Sequence, residues 1–226
     1  MNQDLMKTVN KMFERVVDLI FPRRCVLCHR VIGLADELGL CELCRWQDFQ
    51  NEMPLDEEEK GRCSLIYEDR LQQAIYRMKY NNCRSYGTYF ARWMAQEGAE
   101  WASQIGFDRM TAVPLAKKRM KSRGYNQAEV IARELSRLCR VPYMELLERR
   151  KETRPQQGLG EELRRQNLAG AFAVRECEDD LKRICVVDDI YTTGSTTQEC
   201  IRVLRERWPD AEIWYWTLAR RNIERI

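Results

Sequence analysis

Two passages of this 226-residue chain place reactive side chains at spacings that do chemistry. The first is Cys25-x2-Cys28-x12-Cys41-x2-Cys44. Each Cys-x2-Cys knuckle delivers two thiolates from a tight turn, and four thiolates close a tetrahedron round zinc with no position left for water. A structural Zn2+ held by Cys25, Cys28, Cys41 and Cys44 is therefore expected. His29, the only histidine, makes Cys25-Val26-Leu27-Cys28-His29 match the attachment sequence of a c-type haem, but haem would leave Cys41 and Cys44 unused. A redox dithiol and an iron–sulfur cluster compete for the same four residues.

The second passage runs from Ile184 to Thr197. An apolar strand, Ile184 to Val187, meets two carboxylates, Asp188 and Asp189, and then a turn of Thr192, Thr193, Gly194, Ser195 and Thr196 that opens a helix. A helix N-terminus at the end of a parallel strand offers unspent backbone N–H groups and a positive dipole end, and glycine permits close approach. Hydroxyls add donors, so a phosphate monoester suits the turn. The aspartates stand where ribose hydroxyls or a magnesium ion would be held. Generic rules alone allow the same residues to be an ordinary N-cap cluster after a core strand. Neither GxxxxGK[ST] nor GxGxxG occurs, which disfavours P-loop and dinucleotide-binding sites.

Basic residues gather in two further places. Lys117, Lys118, Arg119, Lys121 and Arg123 put five cations in seven residues, read as a loop between a strand and a helix, and they repel one another unless an anion is near. Residues 149–170 mix Arg149, Arg150, Lys151, Arg154, Arg164 and Arg165 with Glu152, Glu161 and Glu162, Glu148 standing just before them, and Pro155, Gly158 and Gly160 loosen the middle. Such a stretch suits a loop that closes over a substrate, and equally a plain exposed loop.

These groups must be positioned by the rest of the chain. Apolar residues at Leu5, Val9, Met12, Phe13, Val16, Leu19 and Ile20 predict an amphipathic helix up to Pro22. An acidic stretch, Asn51 to Gly61, reads as a linker. From Cys63 onward strand-like runs (64–67, 109–114, 184–187, 212–218) alternate with helical ones (71–80, 86–101, 127–138, 196–207), which predicts an α/β fold with a parallel sheet. Expected domains are thus residues 1–20, 21–50, 51–62 and 63–226. Trp93, Trp101, Trp208, Trp214 and Trp216 fall at helix or strand spacing and read as core. The six remaining cysteines read as small buried hydrophobes. Lys+Arg 38 against Asp+Glu 35 gives a formal charge of +3, so any basic surface is local. No run approaches the roughly 18 apolar residues of a membrane span, and no cleavable leader is apparent, which places the protein in the cytoplasm.

Val186-Val187-Asp188-Asp189-Ile190-Tyr191-Thr192-Thr193-Gly194-Ser195-Thr196 resembles the phosphoribosyl-pyrophosphate (PRPP) motif of type I phosphoribosyltransferases. Beyond it, nearly the whole chain resembles the ComF (ComFC-like) family: Phe21 to Cys44, Lys79-Tyr80, Val113-Pro114-Leu115, Arg123-Gly124-Tyr125-Asn126-Gln127-Ala128-Glu129, and Thr153-x2-Gln156-Gln157-Gly158-Leu159 with Arg164-x2-Asn167-x4-Phe172. Gly160 and Leu163 depart from the pattern, where serine and an acid are expected. The resemblance implies a zinc ribbon ahead of a phosphoribosyltransferase-like domain. It implies that Asp188 and Asp189 hold the ribose and organise Mg2+, and that Thr192 to Thr196 cradle the 5′-phosphate. Leu115, Arg123, Asn126 and Gln127 then lie on the pyrophosphate side, with Thr153, Gln156, Arg164 and Asn167 in the closing loop. The reaction implied is transfer of ribosyl 5-phosphate to a nitrogen acceptor. It equally implies an alternative: an accessory of natural transformation that meets single-stranded DNA and a helicase-like partner. The acceptor and the oligomeric state are not legible.

Overall fold

The computed structural model describes residues 22–33, 37–48, 60–151 and 168–221, with the backbone alone for 46–48. The predicted helix over 4–20, most of the acidic stretch, and Thr153, Gln156, Arg164 and Asn167 lie outside the described residues. The chain divides into two compact units, residues 1–50 and 51–226.

In the first unit the knuckle at Cys25 is closed by backbone bonds from Cys25 N–H to the Arg30 carbonyl (2.7 Å) and from Ile32 N–H to the Arg23 carbonyl (2.9 Å), with an antiparallel bridge between Arg24 and Val31. The second knuckle is a helix start: α1 (Glu42–Asp48) follows Cys41 directly and carries Cys44 in its first turn. Val26, Leu27 and Leu40 are the buried apolar residues beside the cysteines.

The second unit holds a four-stranded parallel sheet in the order β1–β6–β5–β2, with β1 at Gly61–Ile66, β2 at Arg109–Ala112, β5 at Arg183–Tyr191 and β6 at Glu212–Arg220. Ile184 to Val187 are fully buried, as a central parallel strand covered on both faces requires. The helices are α2 (Asp69–Tyr80), α3 (Tyr86–Ile105), α4 (Lys117–Arg123), α5 (Gln127–Cys139) and α6 (Ser195–Arg207). Helix α3 packs on α5 and against β1 and β6; α5 lies against β2 and β5, and α6 against β5 and β6. Trp101 of α3 meets Phe107, Trp214 and Trp216 edge-on at 5.2 to 6.0 Å between centroids. A two-stranded antiparallel sheet, β3 (Leu147–Arg149) with β4 (Phe172–Val174), brackets residues 150–171.

Several local expectations change. Residues 117–123 form the helix α4 rather than a loop, because Lys and Arg are good helix formers and Gly124, at φ 80°, ends the turn. Gly61 belongs to β1 rather than to the linker, and a Cβ there would run into the Tyr215 ring. Asp188 and Asp189 lie within β5, not beyond it, since pairing with β6 continues to Tyr191. The short strands β3 and β4 were not anticipated. Of the scattered cysteines, Cys63, Cys185 and Cys200 are buried, whereas Cys83, Cys139 and Cys177 retain some exposure.

Candidate functional site

The four cysteine sulfurs, from Cys25, Cys28, Cys41 and Cys44, all lie within 4.8 Å of one another, and Cys28 Sγ is 3.5 Å from Cys41 Sγ. Four converging soft thiols are a donor set that fits zinc. Burial raises the Cys25 and Cys44 thiols above their ordinary value. Burial would raise Cys28 too, but the Arg30 amide and hydrogen bonds with Cys41, Cys25 and Cys44 bring it down to about 7. His29 is exposed, at φ 65°, and is not among the four ligands.

In the second unit a cleft of about 650 Å³ opens at the carboxyl ends of the parallel strands. Tyr67 follows β1, Val113 to Leu115 follow β2, Asp188 to Ile190 end β5, and Arg221 follows β6; all line it. Open parallel sheets bind ligands at this edge. Asp188 and Asp189 form its acidic floor, with the Asp189 N–H donating to Asp188 Oδ1 at 2.8 Å. The Asp188 carboxyl is pushed up to about 8, first by the protein crowding it on all sides but the cleft, then by the charge of Asp189.

The phosphate turn follows at once. Gly194 caps α6 at φ 72°, a conformation L side chains adopt rarely, and a Cβ there would collide with the Tyr191 hydroxyl. Tyr191 cannot easily yield, because it is buried and stacked on Tyr215 at 4.7 Å. No side chain caps α6, and its hydrogen bonding begins with Gln198 N–H to the Gly194 carbonyl (2.8 Å). By helix geometry the N–H groups of Ser195, Thr196 and Thr197 have no acceptor within the helix. Thr192 and Thr196 line the cleft, whereas Thr193 and Ser195 hydrogen-bond one another at 2.8 Å on the inside of the turn.

Leu115, Arg123, Asn126 and Gln127 line the same cleft. Arg123 donates to Gln127 Oε1 and lies 5.3 Å over the Tyr80 ring. Gln127 is buried, and its Nε2 has no hydrogen-bond partner among the described residues. The Asn126 amide also donates to the Val113 carbonyl at 2.9 Å, which fixes the backbone after β2.

Sequence reasoning named Lys79 and Tyr80 only within the family resemblance and gave them no role, yet Lys79 Nζ lies 2.7 Å from Asp189 Oδ2; Tyr67, Gln72 and Arg221 it left out. Arg119 and Arg149 belonged to the two basic runs and come to the cleft from α4 and β3. No local pattern marks Lys79 as chemical; only the docking of α2 brings it to β5. The cleft lining therefore holds five cations, Lys79, Arg119, Arg123, Arg149 and Arg221, against two acids.

No helix among the described residues is long and apolar enough to cross a membrane. No family model matches the chain. Competence protein F of Haemophilus influenzae is 32% identical, the match covering 88% of this chain and 98% of that protein. DNA utilization protein YhgH of Escherichia coli O157:H7 is 30% identical over 87% of this chain and 89% of its own length. Competence protein ComFC of Bacillus subtilis is 24% identical over 87% and 77% respectively. Among solved structures, a purine phosphoribosyltransferase from Pyrococcus horikoshii aligns with a TM-score of 0.36 at 14% identity, over 58% of this chain and 83% of that one, too loose a likeness to bear on activity. Identity of this extent over nearly whole chains places the protein in the competence protein F family, alongside YhgH and ComFC.

Proposed function

We propose that the cleft binds PRPP together with Mg2+ and transfers its ribosyl 5-phosphate to a nitrogen nucleophile, releasing pyrophosphate. One observation carries this reading: adjacent carboxylates at the end of β5 and the Thr192–Thr196 turn that opens α6 line one cleft whose other charged residues, among those described, are all cations. A ligand that combines a phosphate monoester, ribose hydroxyls and a multiply charged anion suits that set of groups.

The residues divide the work by chemistry. The turn from Thr192 to Thr196 takes the 5′-phosphate through backbone N–H groups and threonine hydroxyls. Asp188 and Asp189 accept from the ribose hydroxyls, and their hard carboxylate oxygens fit magnesium, since a divalent cation relieves both the burial and the neighbouring Asp189 charge that hold the Asp188 carboxyl up. When bound, magnesium supplies charge neutralisation for the departing pyrophosphate. Arg119, Arg123 and the buried Gln127 amide, which line the cleft, are assigned to that pyrophosphate. Positive charge develops at the anomeric carbon as the C–O bond to pyrophosphate breaks, and the acceptor nitrogen forms the new bond there. No side-chain nucleophile is needed; fixed donors aimed at the developing charge do the work. Calorimetric titration with PRPP and Mg2+ tests binding, and pyrophosphate release in the presence of candidate bases tests turnover. Absence of binding refutes the reading.

The cysteine cluster is inferred to hold one structural zinc within residues 21–50, and the transferase-like domain to begin near residue 61. A second reading follows from the relatives, which are named for competence and for DNA utilization. In that reading the exposed cations of α4 and residues 149–165 meet single-stranded DNA, and PRPP serves regulation. Removing Arg149 and Arg150 would then weaken single-strand binding and flatten its salt dependence, because fewer counterions are released. A parent protein that binds no single strand at about 50 mM salt refutes it in this direct form.

A further inference from the structure

The acidic pair already has a cation. Lys79 Nζ lies 2.7 Å from Asp189 Oδ2, and both side chains are largely enclosed, at 21% and 13% exposure. This is not a surface lysine that happens to fall near an acid. Helix α2 is fixed by Leu71, Ala74, Ile75 and Met78, all buried, and its last turn is pinned where the Tyr125 hydroxyl donates to the Met78 carbonyl. Lys79 stands in that turn, at the helix end where the dipole favours positive charge. Both carboxylates are engaged: Asp189 by Lys79, and Asp188 by the Asp189 N–H.

We propose that Lys79 is a positioning residue that acts as a resident counter-cation, holding Asp189 until a phosphate-bearing ligand draws its ammonium away. The proposal rests on the reading of this cleft as a PRPP–magnesium site. It follows from competition for one oxygen atom: a divalent cation cannot take Asp189 Oδ2 while an ammonium sits at hydrogen-bond distance from it. Charge adds to this, because Arg119, Arg123, Arg149 and Arg221 line the same cleft and repel a bare dication. A polyanion reverses both effects. Its phosphates compensate the arginines and give Lys79 another partner, so the divalent cation is admitted as part of the ligand complex and poorly by itself. Lys79 thereby makes cation binding conditional on the ligand.

The experiment measures Mn2+ binding to the full chain without PRPP, by water-proton relaxation. Compared are the parent, Lys79→Met, Lys79→Arg, and Lys79→Met combined with Asp189→Asn. Lys79→Met keeps the aliphatic stem and removes the charge, and is expected to bind Mn2+ at least about tenfold more tightly than the parent. Lys79→Arg, which preserves the ion pair, should stay close to the parent, and the double variant should lose the gain. A merely structural lysine would lower affinity or leave it unchanged on removal, so equal or weaker Mn2+ binding by a Lys79→Met protein that melts cooperatively overturns the proposal. Should that variant fold poorly, Lys79→Gln carries the same test with the same criterion. A separate PRPP titration keeps the two readings apart. Tightened Mn2+ binding with no PRPP binding by the parent refutes the PRPP reading alone, and normal PRPP binding with unchanged Mn2+ affinity refutes the role of Lys79 alone.

Discussion

Replacing Gly194 by alanine tests the phosphate turn through its backbone. Gly194 sits at φ 72°, where alanine costs about 1–2 kcal/mol from contact between its Cβ and the following carbonyl. The added methyl also meets the Tyr191 hydroxyl and ring, and Tyr191 is held by its stacking on Tyr215 at 4.7 Å with 18° between planes. Overpacking of this sort costs about 1–3 kcal/mol. Together the two effects amount to about 2–5 kcal/mol. For a chain of this size each kcal/mol moves the melting temperature by about 2–4 °C, so Gly194→Ala should melt about 4–20 °C below the parent. Adding Tyr191→Phe removes the hydroxyl but not the backbone strain, and should recover only part of the loss. Thermal unfolding of the full chain followed by circular dichroism reads both. A single variant melting within about 2 °C of the parent would show that the turn does not hold this conformation.

The remaining expectations concern charge and metal. Asp188, with its carboxyl pushed up from 3.8 to about 8 by burial and by Asp189, is an acid whose folded pKa exceeds its unfolded one. It therefore stabilises the fold at low pH, and that contribution is lost as pH rises from about 4 to about 8; Asp188→Asn should flatten this slope in denaturant midpoints measured between pH 5 and 9. Glu199 has the opposite sign: hydrogen bonding from Arg202, against the cost of burial and aided by the Gly170 amide at 3.1 Å, holds it below the ordinary carboxylate range. Its contribution is present at neutral pH and lost on acidification below about 4.5, and because Arg202 is half exposed, Glu199→Gln should cost under about 1 kcal/mol in the same assay at pH 7. Elemental analysis should find about one zinc per chain, and Cys41→Ser should lose it; a metal-free parent, or a variant that keeps its zinc, would contradict the ribbon.

What could be read from the residues depended on whether the signal was local. The β5–turn–α6 passage was legible because strand, carboxylates, glycine and helix start are consecutive, and the cysteine knuckles were legible through spacing. The placement of Asp188 and Asp189 inside β5 was not, since carboxylates suit turns and only pairing with β6, as between Ile190 and Ala219, extends the strand past them. Helix α4 was missed because like charges suggested an open loop, although the intrinsic preference of Lys and Arg and the glycine after them favour a helical turn. Strands of three residues, such as β3 and β4, carry too little pattern to see. Lys79 is the instructive case: the family resemblance included it without a role, and only its ion pair with Asp189 of β5, a tertiary contact, suggests one. Four of the five tryptophans expected in the core, Trp93, Trp101, Trp208 and Trp216, are buried, whereas Trp214 is half-buried.

Phosphorus NMR of PRPP with Mg2+, titrated with the parent chain and with Asp188→Asn/Asp189→Asn, tests the central claim most directly because it observes the 5′-phosphate and the pyrophosphate separately. The account expects the parent to shift or broaden both signals in saturable fashion and the double variant, still folded, to leave them at their free positions. Signals that stay unmoved by the parent, or that respond equally to both proteins, would contradict it.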